Sequence, residues 1–155
     1  NALLDLAMPI IDKVTRADGG HISRMPDIHL WLMRDLIEIR NTAAASGIPS
    51  TPGLNKKIEQ MASICRMWRH ADGRFARFNG AGFTAVGTIE ETLTRVGHRG
   101  TVLQKAPSSG FVRFSSSRST VIMDSGTPNT DAAVTGFGTL AFEFSAGLIP
   151  PKVTP

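Results

Sequence analysis

Asp18-Gly19-Gly20-His21-Ile22-Ser23-Arg24-Met25-Pro26-Asp27-Ile28-His29 closes one helical stretch of this chain and opens the next. Its two glycines free the backbone to turn sharply. Pro26 suits the first position of a helix, and Asp27 suits the positive end of the helix dipole. Unpaired amides at such a helix start favour an anion. Arg24 has the fork geometry to take a carboxylate or sulfate, and His21 titrates near neutrality. The same residues also suit an ordinary interhelical loop, with Arg24 capping carbonyls and His21 in solvent.

Upstream, Leu3, Leu6, Ala7, Ile10, Ile11 and Val14 recur at helical spacing over residues 2 to 16, with Pro9 either kinking that helix or starting it. Downstream, Ile28, Trp31, Leu32, Leu36, Ile39 and Ala43 form the expected inner stripe of a second helix, widened by Leu30, Met33 and Ile37. Gly47 ends it and Pro49 prevents its resumption. A third helix starts at the Thr51 cap and Pro52, turns Leu54, Ile58, Met61, Ala62, Cys65 and Trp68 inward, and stops before Asp72-Gly73. Two long helices joined by a short loop form an antiparallel hairpin.

Past residue 72 the pattern changes. Phe75 and Phe78 flank a short turn-and-strand element, followed by the glycine-rich Asn79-Gly80-Ala81-Gly82. Thr88-Ile89-Glu90-Glu91 has the spacing of a capping box, predicting a short helix to about Val96. From Ser109 the residues alternate: Val112 with Phe114, Val121 with Met123, and Leu140 with Phe142 and Phe144. The chain is therefore read as α+β. Three strands are too few for a sandwich, so the rest of a β domain is expected beyond Pro155. Asn1-Ala2-Leu3 starts as though inside a helix, and a fragment or processed product is expected.

Composition narrows the chemistry. The 155 residues are 41% hydrophobic and 19% charged, which excludes a disordered tail, a collagen-like chain and a coiled coil. The chain has no tyrosine, so no phenol can act as acid or base. The one cysteine, Cys65, rules out an internal disulfide and lies on an apolar helical stripe, where it reads as an inert core thiol. His21, His29, His70 and His98 lack the spacing of a helical zinc pair, so no metal is expected. Gly80-Ala81-Gly82 lacks the Lys-Ser/Thr of a phosphate loop, no nucleophile elbow is present, and no cofactor is expected. No run of 18 apolar residues occurs, so no membrane span is expected. The net charge of +4 favours anionic partners. Its dense part is Arg66, Arg69, His70, Arg74 and Arg77, without the interleaved aromatics of a nucleic-acid surface, and no nucleic-acid partner is expected.

The Asp18 to Pro26 stretch resembles the Asp-Gly-Gly-His-x-x-Arg-x-Pro run of the heparinase II/III family of polysaccharide lyases. His70-Ala71-Asp72-Gly73-Arg74 and Phe78-Asn79-Gly80 look like that family's exit from its helical toroid. Ser109-Gly110-Phe111, Val121-Ile122-Met123-Asp124-Ser125-Gly126 and Leu140 to Ser145 look like the opening strands of its β-sandwich. The likeness is strongest to a subgroup typical of alphaproteobacteria.

The resemblance implies helical hairpins from an (α/α) toroid followed by antiparallel strands of an incomplete β-sandwich. Residues 1–72 would end the toroid, 73–108 would form a junction with a short helix, and 109–155 would begin the sandwich. It further implies a periplasmic bacterial lyase that cleaves a uronate-containing acidic polysaccharide, such as a glycosaminoglycan or alginate, by β-elimination. His21 and His29 would be its proton-transfer residues, and Arg24 and Asn79 its substrate-binding ones. His29 has a second reading as a core-facing helix residue. Ile28 stands where the family has a tyrosine, and Thr135-Gly136-Phe137-Gly138-Thr139 lacks the family's strand histidines. The chain alone is thus expected to be inactive, or to be a non-catalytic carbohydrate- or anion-binding protein on the same scaffold.

Overall fold

A computed structural model of the chain describes residues 2–97, 100–117, 119–126 and 141–146. Four helices precede a small sheet: α1 (Ala2–Val14), α2 (Pro26–Ala45), α3 (Pro52–Trp68), α4 (Val86–Arg95), β1 (Lys105–Ala106), β2 (Phe111–Ser115), β3 (Ser119–Asp124) and β4 (Ala141–Ala146). The sheet is antiparallel throughout, in the order β1-β2-β3-β4. The α+β reading holds. Among the described residues these elements make one helical hairpin, α2 with α3, and one sheet; they close no ring of helices.

α3 folds as its sequence dictates. Thr51 Oγ1 accepts a hydrogen bond from the Leu54 amide, Pro52 occupies the first turn, and every residue of the expected inner stripe is buried. Ile64 and Met67 are buried as well, so α3 is covered on more than one side. α2 ends at Ser46 in a Schellman arrangement: Gly47, at φ 69°, donates to the Ala44 carbonyl and Ile48 donates to that of Ala43.

The buried face of α2 differs from the expected stripe. Leu36 and Ala43 are buried as anticipated, as are Leu30, Met33 and Ile37, which were expected to widen the stripe, and His29 joins them. Ile28 is 40% exposed, Trp31 52% and Ile39 38%. One residue of helical phase separates the two faces. Apolar side chains surround most of this helix, so periodicity alone cannot orient it, and the hydrogen bonds of His29 do. α1 runs unbroken through Pro9. α4 begins two residues before the expected Thr88 cap, with Ala85 at its N-cap and no side-chain cap; Thr88 lies inside it and its carbonyl accepts from Thr92 Oγ1.

The sheet meets the helices by a mixed face. Phe111, Thr120, Ile122 and Asp124 are buried, while Phe114 is exposed and Val112, Val121 and Met123 are partly so. Val112 pairs with Met123 and Phe114 with Val121, so the two pairs expected to share a face within each strand lie together on the outer face of the sheet. The inner face carries polar residues because the helical layer offers them partners. Arg113 Nη1, for example, donates to the carbonyls of Met67 and Arg69 and so caps the end of α3. Leu140 and the Thr135 to Thr139 stretch lie outside the described residues. One apolar core runs from Ile11 to Ile122, across the expected boundaries at residues 72 and 108.

Candidate functional site

The turn between α1 and α2 is fitted to its neighbours atom by atom. Asp18 Oδ1 accepts from the Gly20 amide and from Ser109 Oγ at 2.6 Å, and its Oδ2 accepts from the Ser109 amide at 2.7 Å. Gly19 sits at φ 92°, and a Cβ there would lie 2.7 Å from Gln60 Cβ on α3. A Cβ at Gly20 would overlap the Ser109 hydroxyl. Both glycines are thus required by close approach, the first also by its dihedral.

Arg24 follows in the left-handed region at φ 59°, unusual for a side-chain-bearing residue. It is 2% exposed. Its guanidinium forms an ion pair with Asp124, donates from Nε to the Ser109 carbonyl at 2.9 Å and lies 5.2 Å from the centre of the Phe111 ring. Burial, and secondarily the charge of Arg16, pulls its pKa down from the usual arginine value. Asn79, the other non-glycine residue with positive φ among the described residues, donates from Nδ2 to the Arg24 carbonyl at 3.2 Å and to Asp124 Oδ2 at 2.9 Å. The Gly126 amide donates to Asp124 Oδ1 at 3.1 Å, and a Cβ at Gly126 would overlap the guanidinium. Both carboxylate oxygens of Asp124 are therefore engaged.

The histidines belong to the same joint. His29 is fully buried and meets the Trp68 ring edge-on at 5.0 Å. Its Nε2 donates to the Met61 carbonyl at 2.9 Å, and its Nδ1 accepts from the His21 amide at 3.2 Å. Desolvation holds its pKa at about 4, against the smaller upward pull of the Met61 carbonyl, so the ring is neutral at pH 7. His21 is half-buried, with Nδ1 accepting from the Ser23 amide and hydroxyl; burial lowers its pKa too.

The structure brings His21, Arg24, His29 and Asn79 together as a joint between layers; Arg24 also reaches the lining of a neighbouring cleft, where Asp124 matches its charge. The expected substrate-binding Arg24 is turned inward and neutralised by Asp124. Asn79 spends its amide on the Arg24 carbonyl and on Asp124. His29 takes the core-facing reading, closed to any substrate. Sequence reasoning missed Asp18, Ser109 and Asp124; the available signal was an acid at the end of an alternating strand, just before Ser125-Gly126. Cys65 is buried and desolvation holds its thiol protonated. Among the described residues no cluster of His, Cys, Asp or Glu could hold a metal, and no helix is long and apolar enough to cross a membrane.

Comparison with known proteins points away from polysaccharides. No family model and no solved structure matches the chain. Over 128 residues it is 29% identical to FtsZ-localized protein C of Caulobacter vibrioides (strain NA1000 / CB15N), an alignment covering 83% of this chain and 22% of that protein. The expected membership of the heparinase II/III family is thereby overturned. With it go the β-elimination lyase, the alternative carbohydrate-binding protein and the acidic polysaccharide partner. The cation expected to meet a sugar carboxylate, Arg24, is already matched by the chain's own Asp124.

Proposed function

We propose that this chain is a protein-interaction module with a role in cell division, working in the company of FtsZ. The observation that carries the reading is the 29% identity over 128 residues to FtsZ-localized protein C. Because the alignment takes in 22% of that protein, the proposal concerns one module of such a molecule. The geometry supports binding over reaction: His29, Arg24 and Asn79 are committed to internal partners. Apolar side chains left outside support it as well. Trp31, beneath the Arg34 guanidinium at 4.9 Å, and Phe83 are both largely exposed, and aromatic groups of this kind are enriched where proteins dock. The test is two-colour microscopy of the chain fused to a fluorescent protein in Caulobacter cells carrying labelled FtsZ. Coincident signals are expected; uniform fluorescence of the fusion would overturn the reading.

A further inference from the structure

We infer that the cleft between the Arg16 turn and the β1–β2 hairpin receives a carboxylate-bearing segment of a protein partner. The cleft has a volume of about 380 Å³, within the range of ligand sites. Three cations line it, Arg16, Arg24 and Lys105, and among the described residues no acidic side chain does. Arg24 is matched from the buried side by Asp124. Neither Arg16 nor Lys105 has a carboxylate partner among the described residues. Among the described residues the cleft is therefore left with uncompensated positive charge.

Arg16 adds an independent observation. Its Nη1 donates to the Ser108 carbonyl at a long 3.2 Å, and its Nε is enclosed with no hydrogen-bond partner among the described residues. Buried donors are rarely left unmet in a settled structure. Nε and Nη2 form the side edge of the guanidinium that takes a carboxylate through two parallel bonds. A small rotation about the single weak tether turns that edge into the cleft, meets the orphaned donor and neutralises the charge. Pro107 and Val112 supply an apolar wall beside the cations, which suits a peptide side chain better than a bare phosphate. Two cations are also too few to track a nucleic-acid backbone.

The inference rests on the protein-interaction reading, but its test uses the purified chain without FtsZ. Its failure would remove the cleft and leave co-localisation as the separate test of that reading. A fluorescein-labelled peptide alternating glutamate with leucine is titrated against the chain by anisotropy, beside a control with glutamine in place of glutamate. We expect the acidic peptide alone to bind. Arg16→Ala should weaken binding about tenfold, the worth of a charge-assisted hydrogen-bonded contact. Arg16→Lys should weaken it nearly as much, because the ammonium lacks the fork. Lys105→Glu, a surface change, gives a second reading should Arg16→Ala perturb folding, and it too should weaken binding. Equal binding of the glutamine peptide, unchanged affinity in these variants, or tighter binding of inorganic phosphate or a DNA oligonucleotide would each overturn the assignment.

Discussion

Asp124, the last residue of β3, forms an ion pair with Arg24, which precedes α2 by two residues and lies 100 positions away in sequence. The pair is buried on both sides, and Asn79 ties the loop after α3 to it through Asp124 Oδ2. Three segments thus share one carboxylate, and the helical layer is fastened to the sheet at that point.

Removing one partner strands a charge in the interior. Arg24→Ala and Asp124→Ala should each lower unfolding stability by about 3 to 5 kcal/mol. The double variant should lose less than the sum of the two, because the second truncation no longer leaves a buried charge unpaired. Urea denaturation of the four proteins gives the coupling energy; strict additivity would show that the pair does not act as one unit.

His29 makes stability depend on pH in a definite direction. Its pKa is about 4 in the folded chain against 6.5 for the free residue. Between these values the unfolded chain binds more protons, so stability declines as the pH falls through that window and levels off below it. At about 1.4 kcal/mol per unit, the loss amounts to about 3 kcal/mol. Urea midpoints measured across the window should follow this slope, and His29→Gln should flatten it.

The two tryptophans separate the observed face of α2 from the expected one. Trp68 is fully buried and Trp31 is about half exposed. Truncation of Trp68 to alanine should cost about 3 to 5 kcal/mol, as for other buried aromatic side chains. Trp31→Ala, at the surface, should change stability by no more than about 0.5 kcal/mol. A large loss from Trp31→Ala in thermal unfolding would restore the stripe read from periodicity.

Gly20 tests the fit of the turn. A methyl group there meets the Ser109 hydroxyl, which is already bound to Asp18. Gly20→Ala should destabilise by about 1 to 3 kcal/mol through overpacking. Hydrogen exchange should show the loss as faster opening of the Ser109 amide, whose acceptor is Asp18 Oδ2.

How far the sequence spoke depended on whether the deciding contacts were local. The Thr51-Pro52 start and the main apolar stripe of α3 could be read directly, since cap and periodicity are properties of neighbouring residues. The face of α2 could not: its apolar residues surround the helix, and His29 is oriented by Met61, 32 positions on. Which face of β2 and β3 turns inward could not be read from the alternation, for a related reason. Hydrophobicity sends Asp124 outward, whereas its partner Arg24 draws it in. The Asp18 to His29 turn was legible as a special place, framed by glycines and dense in polar groups. Whether such groups face a ligand or their own chain is decided by Ser109 and Asp124, which no local pattern connects to it. The family resemblance rested on the order of short motifs of that kind, and the same residues serve here to dock two layers.

Trp68 stands among His29, Phe75 and Phe111, one from α2, one from the loop after α3 and one from β2. Its indole therefore senses helix and sheet at once. Separation of the two would bring water to the ring and redden its emission, while Trp31, already wet, would stay constant as an internal reference. The molecule carries its own optical gauge of whether its halves are closed.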